Sequence, residues 1–326
     1  MAKAKVFITR QIPDAGIKLL KKSCEVRVYP KDQIIPRKEL LKGVTWCDAL
    51  LSLLTDKIDK EVLDANPKLK IISNYAVGFD NIDVAYATSK GIPVTNTPGT
   101  LEDAVAEHTF ALLLAVTKRI VEADRFTRAG KYKNWEPMLF IGTQLKGKTL
   151  GIIGLGRIGS LVAEKAVAMG VTVVYTDIKR NPEFETKFQA KFLSKESLLK
   201  TADFVSLHVP LLPSTRHLIS SRELKTMKKT AYLVNTSRGP VVDEKALVTA
   251  LRRKQIAGAA IDVYEFEPKL SAGLAKLNNV VLTPHIASAT IEARQAMSRI
   301  AAENILAVLG GKKAITAVNK EVYVGK

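Results

Sequence analysis

Arg238, Glu267 and His285 are the residues of this chain whose types and placement could do acid–base and anion chemistry together. Each follows a short apolar run. Ala231–Asn235 leads into Thr236-Ser237-Arg238-Gly239, and Val280–Thr283 leads into Pro284-His285. Ala257–Val263 carries Asp262 near its tip and is followed by Glu265 and Glu267-Pro268. Such runs read as parallel strands, and ligands bind outside the carboxyl ends of strands in an open α/β sheet. A histidine there can deliver a proton near neutral pH. A carboxylate beside it favours the imidazolium and fixes the tautomer, and Glu267 is the candidate. The planar fork of Arg238 can hold a carboxylate and polarise a carbonyl. The set suits carbonyl reduction, provided a hydride carrier lies at the same edge. The remaining histidines fit structural roles: His108 in an apolar helix, His208 as a packing or cap residue beside Val209-Pro210, and His217 in a surface loop or helix start.

A site for that carrier precedes these residues. The run Thr149–Ile153 enters Gly154-Leu155-Gly156-Arg157-Ile158-Gly159, and a helical pattern follows from Ser160 to Met169. Strand, G-x-G-x-x-G and helix, in that order, predict dinucleotide binding. Gly154 permits the tight turn, Gly156 a close backbone approach to pyrophosphate, and Gly159 close packing of helix on strand. The next apolar run ends at Asp177, near the spacing expected for a carboxylate that bonds the adenosine ribose. A second match, Gly142 to Thr149, fits the triphosphate-loop pattern G-x-x-x-x-G-K-[ST]. That loop needs a strand before it and a helix after it. Here an irregular stretch precedes it and a strand follows, so we read the match as coincidence.

The elements that must position these residues form two βα series. Strand-like runs at Lys5–Thr9, Glu25–Tyr29, Ala49–Leu53, Leu69–Asn74 and Pro93–Asn96 alternate with helical patterns. A second series runs from Thr149 to about Pro284, with further strands at Thr172–Tyr175 and Asp203–His208. Between the series, Leu101 to Ala129 reads as one long helix, apolar nearly all round its middle and so buried between domains or against a partner. The last helix, Ile291 to Leu309, is expected to return to the first series. The fold class predicted is α/β, with two doubly wound parallel-sheet domains. A Rossmann cofactor domain (100–286) is inserted into a flavodoxin-like substrate domain (1–99 plus 287–326).

Composition narrows the function classes. The 326 residues carry 50 Lys and Arg against 32 Asp and Glu, a net charge of +18. The basic residues are spread along the chain without aromatic interleaving or a nucleic-acid-binding signature, which predicts a solvated basic surface and no nucleic-acid partner. Cys24 and Cys47 make neither a disulfide framework nor a metal site, and no metal is expected. The N-terminus leads into a strand and the longest apolar runs are too short to span a bilayer. A cytoplasmic protein without a membrane partner is expected.

Joint occurrence of several stretches makes the chain resemble the D-isomer-specific 2-hydroxyacid dehydrogenase family. They are Gly147–Gly159, His208-Val-Pro-Leu211, Leu233–Asp243, Ala260-Ile-Asp-Val263 with Glu267-Pro268, and Thr283-Pro-His-Ile286. The resemblance spans essentially the whole chain. It implies catalytic roles for Arg238, Glu267 and His285, and a substrate carboxylate held by the amides of Val77 and Gly78 together with Arg238. It also implies cofactor contacts from Ile178, Lys179, Val209, Pro210, Thr236, Ser237, Asp262 and Ala287, besides the glycine loop and Asp177. Within the family, Val6–Arg10, Asn74–Gly78 and Trp135-Glu-Pro137 resemble glyoxylate/hydroxypyruvate reductases. That likeness implies reduction of a small 2-keto acid, and a homodimer with the Leu101–Ala129 helix in its interface and Trp135 in a loop that helps shape a neighbouring subunit's site. Some NADPH-using relatives carry arginine where this chain has Asp177. A carboxylate repels a 2′-phosphate, so NADH is expected over NADP, with weaker NADP use left open by Lys179 and Arg180. Sibling D-3-phosphoglycerate or D-lactate activities stay open as alternatives, as does a non-catalytic NAD-sensing role on the same fold.

Overall fold

The computed structural model describes residues 2–324. The chain divides into two compact units, Met1–Leu101 with Ala289–Lys326, and Glu102–Ser288.

The first unit is built on β1 (Ala4–Ile8), β2 (Cys24–Val28), β3 (Ala49–Ser52), β4 (Ile71–Asn74) and β5 (Val94–Thr95). Their order is β2-β1-β3-β4-β5 and every pairing is parallel, which is the flavodoxin-like arrangement. Helices on both faces explain why β3 and β4 are buried along their whole length; such strands read as unbroken apolar runs. The helix Ile291–Leu309 packs on β4 and on the helix Asp14–Lys21. Gly16 makes the second contact possible: its N–H donates to Ser298 Oγ at 3.0 Å. A β-carbon there would lie 2.1 Å from the Ser298 carbonyl oxygen.

The second unit holds β6 (Thr149–Ile153), β7 (Thr172–Thr176), β8 (Lys191–Phe192), β9 (Phe204–Leu207), β10 (Tyr232–Asn235), β11 (Gly258–Ile261) and β12 (Val280–Leu282). All pairings are parallel, in the order β8-β7-β6-β9-β10-β11-β12. This is the dinucleotide-binding order with one strand added beyond β11. The order reverses between β6 and β9, where a ligand crevice is expected.

Three features differ from the sequence reading. The long helix is two, Glu102–Thr117 and Ile120–Arg128, broken at Arg119, whose φ is 57°. The Thr117 carbonyl, which a continuous helix would spend within itself, accepts instead from the Thr143 N–H at 2.8 Å. Phe110, Leu112, Leu113 and Val116 of the first helix pack with Leu150 and Ile152 in the core of their own unit, which accounts for its apolar middle. The short edge strand β8 has no counterpart in the sequence reading, because its two exposed residues carry no alternation.

Candidate active site

In the second unit the loop after β6 turns directly into the helix Arg157–Ala168, three residues earlier than the sequence pattern places its start. Gly154 has φ 96° and its N–H donates to the Thr176 carbonyl at 3.0 Å. A β-carbon on Gly154 would meet the His208 carbonyl oxygen at 2.7 Å, and one on Gly159 would meet the Gly154 oxygen at 2.2 Å. A β-carbon on Gly156 would meet nothing within 4 Å. Gly156 is the helix N-cap and its helix end has no side-chain cap. The arrangement fits a pyrophosphate: open space, bare backbone and N-terminal helix amides. Leu155 is buried, Ile158 partly so, and Arg157 reaches Glu102 at 3.6 Å.

Asp177 follows β7. Its carboxylate accepts from the Leu155 N–H and the Ile178 N–H, both at 2.6 Å, so it is tied to the glycine loop. Ile178 and Lys179 are exposed, Ile178 fully so. Arg180 is drawn into an ion pair with Glu185 at 2.6 Å. Val209 and Pro210 follow β9, with Val209 alongside Gly154. Thr236 is buried against Thr109 Oγ1 at 2.8 Å, and Ser237 is fixed by two hydrogen bonds to Asn235 Oδ1.

An imidazole–carboxylate pair forms across two adjacent strand ends. His285 Nδ1 lies 2.9 Å from Glu267 Oε2, and Glu267 Oε1 accepts from the Tyr264 N–H at 2.9 Å. Burial alone would raise the Glu267 carboxyl. The His285 contact, the Tyr264 amide and the Arg238 charge outweigh it, and the group titrates below its ordinary value. An ionised carboxylate only accepts. Nδ1 therefore carries the proton shared with Glu267, and Nε2 is left for a substrate. His285 itself has φ 56°, and the buried Asp262 imposes that turn. The Asp262 carboxylate accepts from Thr283 Oγ1 at 2.6 Å, the Ile286 N–H at 2.9 Å and the Ala287 N–H at 2.8 Å, while its carbonyl accepts the His285 N–H at 2.8 Å. Burial raises this carboxyl too, but its donors and nearby His108 hold it below its ordinary value. Arg238, half-buried, is seated by Asn235 Nδ2 on its carbonyl and donates to the Ser237 carbonyl at 2.8 Å.

His108, expected to be structural, faces this turn: its Nε2 is 3.2 Å from Thr283 Oγ1 and 3.5 Å from Asp262. His208 bonds Ser206 Oγ at 2.8 Å, and burial pushes its imidazole down to about 3, so it stays neutral. Trp135 stands 78% exposed in the irregular segment 130–146.

In the first unit, Val77 and Gly78 follow β4 in a loop whose carbonyls are turned inward. Asn96 Nδ2 donates to the Val77 carbonyl at 2.8 Å and Asn74 Nδ2 to the Gly78 carbonyl at 2.9 Å. Asn74 Oδ1 in turn accepts from Ser52 Oγ at 3.1 Å. Among the described residues the Val77 and Gly78 amides have no acceptor, which suits them to an anion. The sequence reading missed both asparagines. Their signal was there: each is a polar residue at the carboxyl end of a buried parallel strand. Among the described residues no cluster could hold a metal ion, and no helix is long and apolar enough to cross a membrane.

Comparison with known proteins gives this geometry a context. The NAD-binding domain of the D-isomer specific 2-hydroxyacid dehydrogenases matches residues 110–287. The chain belongs to the D-isomer-specific 2-hydroxyacid dehydrogenase family. The glyoxylate reductases of Thermococcus litoralis and Thermofilum pendens are 52% and 54% identical to it, over 98% and 99% of this chain and 98% and 96% of theirs. A solved protein from Thermus thermophilus superposes with a TM-score of 0.91 at 44% identity, covering 96% of this chain and 99% of that one. The NADPH-dependent glyoxylate/hydroxypyruvate reductase of Sinorhizobium meliloti, solved with NADP and malonate, gives 0.85 at 29%, covering 98% of each chain. As a 2-hydroxyacid dehydrogenase, the chain carries its NAD(P)-binding domain in the second unit, with the glycine loop, Asp177 and the His285–Glu267 pair on one sheet edge.

Proposed function

We propose that this dehydrogenase is a glyoxylate reductase that prefers NADH and also accepts hydroxypyruvate. The observation that carries the reading is the His285–Glu267 pair at the strand ends that also present Arg238, on the sheet that holds the dinucleotide loop. Full-length identity of about half to glyoxylate reductases supports the substrate. Bound NADH would supply the hydride that adds to the carbonyl carbon. His285 delivers the proton to the carbonyl oxygen from Nε2, while Glu267 holds the ring and stabilises its charged form. Arg238 is the donor that the second unit offers a substrate carboxylate, and the Val77 and Gly78 amides are the anion donors of the first unit.

The cofactor preference rests on Asp177, which stands at the end of β7 and disfavours a 2′-phosphate. Arg180, three residues further along the chain, is occupied by Glu185. The homodimer rests on the exposed Tyr132, Trp135, Met138 and Ile141, which are 55%, 78%, 76% and 57% accessible. Four exposed apolar residues within one short segment support a protein interface there.

The test follows oxidation of NADH, then NADPH, with glyoxylate, hydroxypyruvate, pyruvate and phosphohydroxypyruvate in parallel. Turnover of glyoxylate and hydroxypyruvate with NADH is expected. Preference for NADPH would overturn the role given to Asp177 and keep the reductase. Faster turnover of pyruvate or phosphohydroxypyruvate would move the substrate to a sibling activity. NADH binding with no turnover of any keto acid would favour a sensing role.

A further inference from the structure

His217, Glu244 and Glu265 lie behind the active-site loops and contact none of the reacting groups, yet they tie those loops together. The Glu265 side chain is 5% exposed, and its Oε1 accepts from His217 Nε2 at 2.7 Å. Its Oε2 accepts from the Glu244 N–H at 3.2 Å. Glu244, 3% exposed at the start of the helix Glu244–Arg252, returns the contact. Its carboxylate accepts from the Glu265 N–H at 2.8 Å and from the Ser271 N–H at 2.6 Å. One carboxylate thus clasps both ends of the segment 265–271, and Glu267 lies inside that span.

His217 reaches the other loop as well. Its backbone N–H donates to the Pro240 carbonyl at 2.8 Å, in the turn directly after Arg238. The Ile219 N–H donates to Val241 O at 3.1 Å, and the Asp243 N–H donates back to Ile219 O at 2.9 Å. Gly239 rests on the Tyr264–Glu265 peptide so closely that a β-carbon would lie 1.9 Å from the Tyr264 carbonyl. The Arg238 turn and the Glu267 loop are therefore packed face to face, and His217 bonds both. Besides Glu244 and His217, the charged group facing Glu265 is Arg216, at 3.7 Å.

We propose that His217, Glu265 and Glu244 are positioning residues: a latch that fixes the Arg238 turn against the loop bearing Glu267, and through Glu267 sets the aim of His285. The inference rests on the acid–base reading of His285 given above. A hydrogen-bonded cross-brace of this kind, with both of its carboxylates buried, matters because a displacement of about 1 Å in catalytic geometry can cost up to about a hundredfold in rate. His217 sits at φ 50°, a conformation that asparagine tolerates as well as histidine.

The test compares wild type with His217→Asn, which keeps that backbone preference but falls short of Glu265, and with His217→Gln, whose terminal N–H can reach it. Glyoxylate turnover of His217→Asn should fall about 10- to 100-fold with NADH affinity within about twofold of wild type. His217→Gln should recover most of the loss. Amide hydrogen exchange of the 264–271 peptide should quicken in His217→Asn and return toward wild type in His217→Gln. Unchanged turnover in His217→Asn would overturn the latch, as would turnover and NADH affinity falling together with melting temperature. A wild type that reduces no keto acid would instead defeat the proposed function. The exchange measurement then decides the latch by itself: unchanged protection of 264–271 would sink it.

Discussion

The two glycines that flank the start of the helix Arg157–Ala168 make opposite predictions when each is changed to alanine. At Gly156 an added methyl meets no atom within 4 Å, and its φ of −76° suits any residue. Gly→Ala at a compatible site stabilises by about 0.4–1 kcal/mol through the unfolded chain. Losing glycine from an N-cap costs a similar amount. The two offset, so Gly156→Ala should melt within about 2 °C of wild type. The methyl nevertheless stands where a pyrophosphate must approach the bare amides. Losing one hydrogen bond to a charged group costs about 1.5–3 kcal/mol, so NADH should bind at least about tenfold more weakly. At Gly159 the methyl would lie 2.2 Å from a backbone oxygen of Gly154 and 3.3 Å from Ile152 Cγ2. Neither neighbour is a flexible side-chain end. Overpacking of that kind costs about 1–3 kcal/mol, a fall of roughly 2–12 °C for a unit of this size. The assay pairs a fluorescence titration of NADH with thermal unfolding of both variants. Wild-type NADH affinity in Gly156→Ala would show that the open space is not the pyrophosphate cradle. Wild-type melting in Gly159→Ala would refute the packing argument.

Other consequences follow from the same geometry. Glu267→Gln removes a charge-assisted bond worth about 1.5–3 kcal/mol. The alkaline limb of the pH–rate profile should move about one to two units to lower pH, and kcat at neutral pH should drop about 10- to 100-fold with NADH binding intact. An unmoved limb would separate Glu267 from the proton transfer. Asn96→Ala frees the Val77 carbonyl and loosens the anion loop; the keto-acid KM should rise about 3- to 10-fold, from one neutral hydrogen bond, with kcat little changed. Acid stability has a defined sign. Burial would raise the Glu223 carboxyl, but Ser220 and Lys195 outweigh it and bring it down to about 2; Arg180 and Tyr175 bring Glu185 to about 2. A lowered carboxylate stabilises fully above its unfolded value of 4.5 and loses that contribution as pH falls toward about 2. Glu223→Gln should therefore melt about 2–4 °C below wild type at neutral pH, with the gap closing toward pH 2. A gap that persists in acid would assign the effect to packing.

How far the sequence reached depended on whether the information was local. The glycine loop, the strand-end rule and the family stretches all sit within short windows, and the arginine, carboxylate and histidine they pointed to are found at the ends of β10, β11 and β12. The ends of helices proved harder. The start at Arg157 lies inside the glycine motif because the loop's last turn is already helical, and a window scored on apolar spacing begins only when the apolar residues do. The break at Arg119 depends on an acceptor claimed by Thr143, 26 positions from Thr117, and no propensity of Lys118 or Arg119 announces it.

The same reasoning explains why two supporting sets escaped notice while the residues they support did not. Asn74 and Asn96 end buried strands of the first unit, as Thr236 and His285 follow strands of the second, so one strand-end rule applied to both sheets would have found them. His217 offers no such handle. Read alone it is a polar residue in a turn, and its significance lies in two bonds to segments 23 and 48 positions away. A reacting group must face the ligand, and strand ends fix where that is. A residue that braces two loops is defined only by the loops' final contact, which is a property of the packed sheet and of no single stretch. The His217→Asn and His217→Gln pair addresses that difference directly, because the two variants share a chemical class and differ chiefly in reach.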